Sequence, residues 1–171
     1  SIALTSTAGN IKAEGNGDVT TSGKLSAVKG AITATSAMGN VKVEKEATAA
    51  NDVTLAAKAG NVTVNDAVTS TAGNIKAEGN GDVTTSGVLS AVKGSITATS
   101  ATGNVKVEKE ATAANDVTLT AEAGSVTVNG ALTSTAGNIK AEGNGDVTTS
   151  GVLSAVKGAI TATSAMVNVK V

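Results

Sequence analysis

The sequence repeats itself: residues 5–68 recur as 69–132 and begin again at 133, a period of 64 residues. Self-similarity at a fixed period constrains the architecture before any motif does, because a repeat unit buries its apolar face by stacking on the next. The two complete copies differ at eight positions: Lys24/Val88, Ala31/Ser95, Met38/Thr102, Ala56/Thr120, Lys58/Glu122, Asn61/Ser125, Asp66/Gly130 and Val68/Leu132. Near-identical copies do not build a unique cleft. They build length, surface repetition, or both, and the expectation is a structural fibre segment.

A finer period lies inside each copy. One line of apolar residues runs Ile11, Ile32, Val53, Ile75, Ile96, Val117, Ile139 and Ile160, with spacings of 21, 21 and 22 that sum to 64. A second runs Val19, Val41, Val62, Val83, Val105, Val126, Val147 and Val169. A third is looser, with Leu25, Ala47, Val68, Leu89, Ala111, Leu132 and Leu153. Three short apolar segments per 21-residue turn predict an all-β, three-sided parallel β-helix (β-solenoid) of about eight coils. It forms one continuous segment over 1–171, with copies at 5–68 and 69–132 and a partial copy at 133–171. Both ends fall inside the repeat, which reads as a piece of a longer polypeptide.

Each segment alternates with the period of a half-buried strand: Ile11 and Ala13 inward with Lys12 and Glu14 outward, Val41 and Val43 inward with Lys42 and Glu44 outward. The alanine-rich piece at 47–50 has the composition for one helical turn, but Asn51-Asp52 follow at once and Val53 restarts a strand. Turns are expected at Gly9-Asn10, Gly15-Asn16-Gly17-Asp18, Gly39-Asn40, Asn51-Asp52 and Gly60-Asn61, where Gly and Asn tolerate positive φ. Val167 stands where Gly39 and Gly103 stand in the other copies, and would be strained in a left-handed turn. With coils about 4.8 Å apart the rod is roughly 38 Å long. Stacking places Lys12 and Glu14 on Thr33 and Thr35, then Thr54 and Ala56, then Lys76 and Glu78. Like charges are thus about 14 Å apart, beyond the Debye length of about 8 Å at physiological salt.

Composition agrees with a thin core. The chain has no Phe, Tyr, Trp, Cys, His, Pro or Arg, all 13 cations are lysines, and the net charge is −1. Aromatic side chains, which bury roughly 150–250 Å² each in compact domains, are absent, so order must come from backbone pairing and small-residue packing. Proline would remove a ladder donor in every coil it entered. The absent cysteines leave the redox compartment open, and no apolar run approaches the roughly 20 residues that span a bilayer.

Runs such as GNIKAEGNGDVTTSGKLSAVKGAITATS and NDVTLAAKAGNVTVNDAVTSTAGNI resemble the repeats of filamentous haemagglutinin-like exoproteins, the large bacterial adhesins of the two-partner secretion pathway. The resemblance covers the whole chain, although the family's repeats are slightly shorter and more degenerate. It implies export to the bacterial surface or beyond, right-handed coiling, and a shaft carrying binding regions elsewhere.

Local candidates are few. Glu14-Gly15-Asn16-Gly17-Asp18, repeated at 78–82 and 142–146, spaces oxygen ligands as a calcium loop does, but it lacks a distal Glu and the nonapeptide pattern of calcium-binding β-rolls. A plain glycine-rich turn is the favoured reading, so no metal ligand is assigned. Thr33-Ala34-Thr35, Thr97-Ala98-Thr99, Thr118-Leu119-Thr120 and Thr161-Ala162-Thr163 have the Thr-x-Thr form of an ice-binding face, interrupted every third coil by charge and spoiled once by Ala56.

Without His, Cys, Tyr or Arg there is no imidazole or thiol chemistry, and no catalytic residue or cofactor is assigned. Glu44 and Glu46 flanking Lys45 read as a self-compensating solvated run. Nucleic acid is disfavoured because there is neither a basic face nor a stacking aromatic. The expected function is the structural shaft of a long extracellular bacterial fibre or adhesin, not an enzyme. Its partners are neighbouring coils or other copies end to end, with lateral bundling as a further option. The alternative is a repetitive binding surface, for calcium or for an ice or glycan lattice, or a self-assembling filament subunit.

Overall fold

The computed structural model describes residues 3–171, and among these there is no helix. Twenty-four short strands form three parallel sheets of eight strands. Sheet A stacks Leu4–Ser6, Leu25–Ala27, Ala47–Ala49, Val68–Ser70, Leu89–Ala91, Ala111–Ala113, Leu132–Ser134 and Leu153–Ala155. Sheet B stacks Ile11–Gly15, Ile32–Ser36, Val53–Ala57, Ile75–Gly79, Ile96–Ser100, Val117–Ala121, Ile139–Gly143 and Ile160–Ser164. Sheet C stacks Val19–Thr21, Val41–Val43, Val62–Val64, Val83–Thr85, Val105–Val107, Val126–Val128, Val147–Thr149 and Val169–Lys170. One strand from each sheet makes a coil, numbered 1 to 8 along the chain. The molecule is the three-sided β-solenoid that the apolar lines predict, and the alanine-rich piece is the strand Ala47–Ala49.

The register is the predicted one. Ile11 pairs with Ile32, Ile32 with Val53 and Val53 with Ile75, while Lys12 and Glu14 lie beside Thr33 and Thr35. Strand lengths barely vary, so the corners alone decide whether a coil has 21 or 22 residues. The A-to-B corner has four residues at 7–10 and 28–31 but three at 50–52. The B-to-C corner has three at 16–18 but four at 37–40 and 58–61, and the C-to-A corner keeps three at 22–24, 44–46 and 65–67. The 64-residue period is therefore a cycle of three coils with different corners.

The core explains why the third apolar line is loose. Where the sheet A column has Ala47 and Ala111 in place of leucine, the alanine column of sheet B has Leu55 and Leu119 in the same coil, all four at most 1% exposed. Coils 2 and 5 hold the opposite arrangement, Leu25 with Ala34 and Leu89 with Ala98. Exchanging the large residue between sheets keeps the volume of each coil nearly constant, as close packing at crystal-like density requires. Of the eight positions at which the copies differ, only Val68/Leu132 is in this core.

The corners work differently from the expectation. None of the described residues, glycine or other, has positive φ. Glycine is required instead because the coil beneath is too close: a Cβ on Gly39 would lie 2.5 Å from both the backbone nitrogen and Oδ1 of Asp18. Val167 carries such a Cβ, and its corner stands off. The Asn168 N–H donates to Asp146 Oδ1 at 3.2 Å, against 2.7 Å for the same bond after Gly39 and Gly103. The Met166 N–H reaches the Asn144 carbonyl at 3.2 Å, against 2.8 Å for Met38 and 2.7 Å for Thr102.

Candidate functional surfaces

Two of the three edges carry a side-chain stitch that recurs with the repeat. Wherever a four-residue corner lies over a three-residue one, the change of length is absorbed by the same clamp. Ser36 Oγ, fully buried, donates to the Gly17 carbonyl at 2.7 Å and accepts from the Gly39 N–H at 2.8 Å. Asp18 Oδ1 accepts from the Asn40 backbone N–H at 2.7 Å and from its side-chain amide at 3.0 Å. The arrangement recurs with Ser70 and Asn74 over Asn51 and Asp52, and with Ser100 and Asn104 over Gly81 and Asp82. Its signature, Ser-x-x-Gly-Asn, was visible in the sequence, but the serine's role depends on the backbone of the coil beneath.

The clamp settles where the acidic groups of the Glu-Gly-Asn-Gly-Asp turn go. Asp18 is turned onto Asn40, whereas Glu14 lies on the outer face with Lys12 Nζ at 2.9 Å. Glu78 and Glu142 pair likewise with Lys76 and Lys140, at 2.7 and 2.8 Å. Among the described residues no three acidic side chains converge as they would on a metal ion.

On the B-to-C edge the asparagines continue upward. Asn40 Oδ1 accepts from the Asn61 N–H at 2.9 Å, Asn61 Oδ1 from Asp82 at 2.7 Å, and Asn104 Oδ1 from Ser125 at 2.9 Å. Ser125 takes the place of Asn61, and its shorter side chain makes no corresponding bond to the Asp146 N–H. The rung is lost there.

The outward threonines at 33, 35, 97, 99, 118, 120, 161 and 163 all belong to sheet B, and the pairs Lys76–Glu78 and Lys140–Glu142 cut across them as expected. Sheet C is cut in the same way by Lys42–Glu44 at 2.9 Å and Lys106–Glu108 at 2.7 Å. The Glu44-Lys45-Glu46 run does not compensate itself. Glu44 is held by Lys42, and Glu46 pairs with Lys24 of the coil beneath at 2.9 Å. The hydrogen bond from Lys42 holds the Glu44 carboxyl below the usual carboxylate range, with Lys45 the smallest of the contributors. Lys24 and Thr48 do the same for Glu46, and Lys106 and Ser86 for Glu108.

Sheet A carries a surface that the sequence reading missed. Its outward central residue is Thr5, Ser26, Thr48, Thr69, Ser90, Thr112, Thr133 and Ser154, each in register with the next. The hydroxyl column is unbroken by charge through all eight coils. Its signal was present in the triplets Leu-Ser-Ala, Ala-Thr-Ala and Val-Thr-Ser, where one outward hydroxyl per strand recurs only 21 or 22 residues on.

Two shallow grooves follow the repeat. One of about 310 Å³ is lined by Ala56, Lys58, Glu78 and Thr99, and another of about 270 Å³ lies one copy later, lined by Thr120, Glu122, Glu142 and Thr163. The shape is retained while the charge inverts from Lys58 to Glu122. A site kept for one ligand would hold its charge. No helix among the described residues is long and apolar enough to cross a membrane. No family model matches the chain, nor does any curated protein or solved structure.

Proposed function

We propose that the chain is part of the rigid shaft of a long extracellular bacterial fibre or adhesin, contributing reach, stiffness and a repeated surface. The observation that carries this reading is the unbroken continuation of all three parallel sheets through eight equivalent coils. Each coil contributes its own folding term and an interface term with its neighbours, so stability accumulates along the rod with the number of coils. Placement outside a bacterial cell rests on the resemblance to filamentous haemagglutinin-like exoproteins.

The axial partner is another coil. Ile96 and Val105 of coil 5 are fully buried between the coils on either side, whose strand edges pair with their own. Denaturing mass determination of the native material beside electron microscopy tests the proposal. A very long single chain seen as an unbranched rod supports a covalent shaft. A short chain that forms long filaments shows end-to-end assembly instead, and a compact particle overturns both.

A further inference from the structure

We propose that the outer face of sheet A is a lateral contact between two copies of this chain, packed face to face with their rods antiparallel. Sheets B and C place Lys–Glu pairs at the centre of their faces every third coil, as edges and faces guarded against association do. The centre of sheet A has none. The residues before and after each sheet A strand continue its alternation and flank the hydroxyl column. Among them Val28, Val88 and Val92 are 54%, 40% and 54% exposed although their coils are covered on both sides.

The occupant follows from repeat and charge. A partner lacking the axial spacing of about 4.8 Å drifts out of step with the column, while a second copy keeps rung against rung along the whole rod. Lys24 pairs with Glu46, but Val88 replaces that lysine in the next copy, and Glu110 is left without a cation at ion-pair distance among the described residues. A two-fold axis parallel to the strands reverses the rods and sets each flanking column on itself. With coil 4 on coil 4, coil 2 faces coil 6, and Lys24 of each copy faces Glu110 of the other. The face is about 13 Å wide and roughly 34 Å long over the seven overlapping coils, so the pair covers roughly 900 Å², the size of a weak, transient interface. Weak, micromolar association is expected, strengthening as coils are added.

Sedimentation equilibrium of the 171-residue chain tests this. The expected result is a monomer–dimer equilibrium that Glu110→Lys weakens by about tenfold or more, as loss of an interfacial ion pair does. Ser90→Arg in the column abolishes it, and Thr84→Lys on sheet C leaves it unchanged. Combining Lys24→Glu with Glu110→Lys restores the pair with its charges exchanged and recovers most of the affinity. A monomer at the highest attainable concentration overturns the proposal, as does association indifferent to Glu110→Lys and Ser90→Arg. The lateral contact does not depend on the shaft reading. A monomeric rod removes the contact and leaves the axial stack intact, whereas open-ended oligomers insensitive to these variants point to the coil ends.

Discussion

Ser36 shows what a single residue contributes here. Its hydroxyl is fully buried, donates downward and accepts from its own corner, so a one-residue change in corner length leaves no orphaned backbone group. The asparagine ladder does the same from outside, and Ser125 is its gap. Ser125→Asn supplies the missing acceptor for the Asp146 N–H and is expected to raise stability by about 0.5–1.5 kcal/mol, read as the shift in urea midpoint.

Acid acts at the same scale. Glu44, Glu46 and Glu108 titrate below the ordinary carboxylate range because Lys42, Lys24 and Lys106 hydrogen-bond the ionised form. A carboxyl whose folded pKa is depressed contributes stability that is fully present above the unfolded pKa of about 4.3 and lost as pH falls through the folded value. The three side chains are half-buried at the surface and still screened by solvent, so the loss is small. NMR titration should show these carboxyls moving at lower pH than an unfolded glutamate, with their contribution to stability flat between pH 6 and 8. Equal midpoints for folded and unfolded forms would contradict the pairing.

At the scale of the strand, the sequence discloses the inward columns fully and the outward ones unevenly. Ile11, Val19 and their successors recur at nearly constant spacing, so periodicity alone places them. Ala47 and Ala111 look like defects in a leucine column until Leu55 and Leu119 are seen in the same coils. The compensation is between sheets and has no local signature. Nor does the turn chemistry of Gly39, whose need for a missing Cβ is set by Asp18, 21 residues earlier and one coil below.

The compensation can be tested directly. Leu55→Ala opens a cavity and is expected to cost about 2–5 kcal/mol. Ala47→Leu overpacks the coil at about 1–3 kcal/mol. The double variant reproduces the arrangement of coil 2 and should lose much less than the sum, a coupling visible in a double-mutant cycle. Additive losses would show that the two columns do not share space.

The whole molecule is a linear object whose properties follow from the number of coils. Charge is kept apart along it: each face that carries Lys–Glu pairs repeats them only every third coil, about 14 Å on, beyond the screening length. The 64-residue period thus serves corner length, core volume and charge separation together.

Small-angle X-ray scattering on chains carrying one, two and three additional 64-residue copies tests this most directly. Each copy should lengthen the particle by about 14 Å at constant cross-section, because each adds three coils of about 4.8 Å. A cross-section that grows with copy number, with the radius of gyration rising only as about the 0.38 power of chain length as in compact domains, would contradict the solenoid.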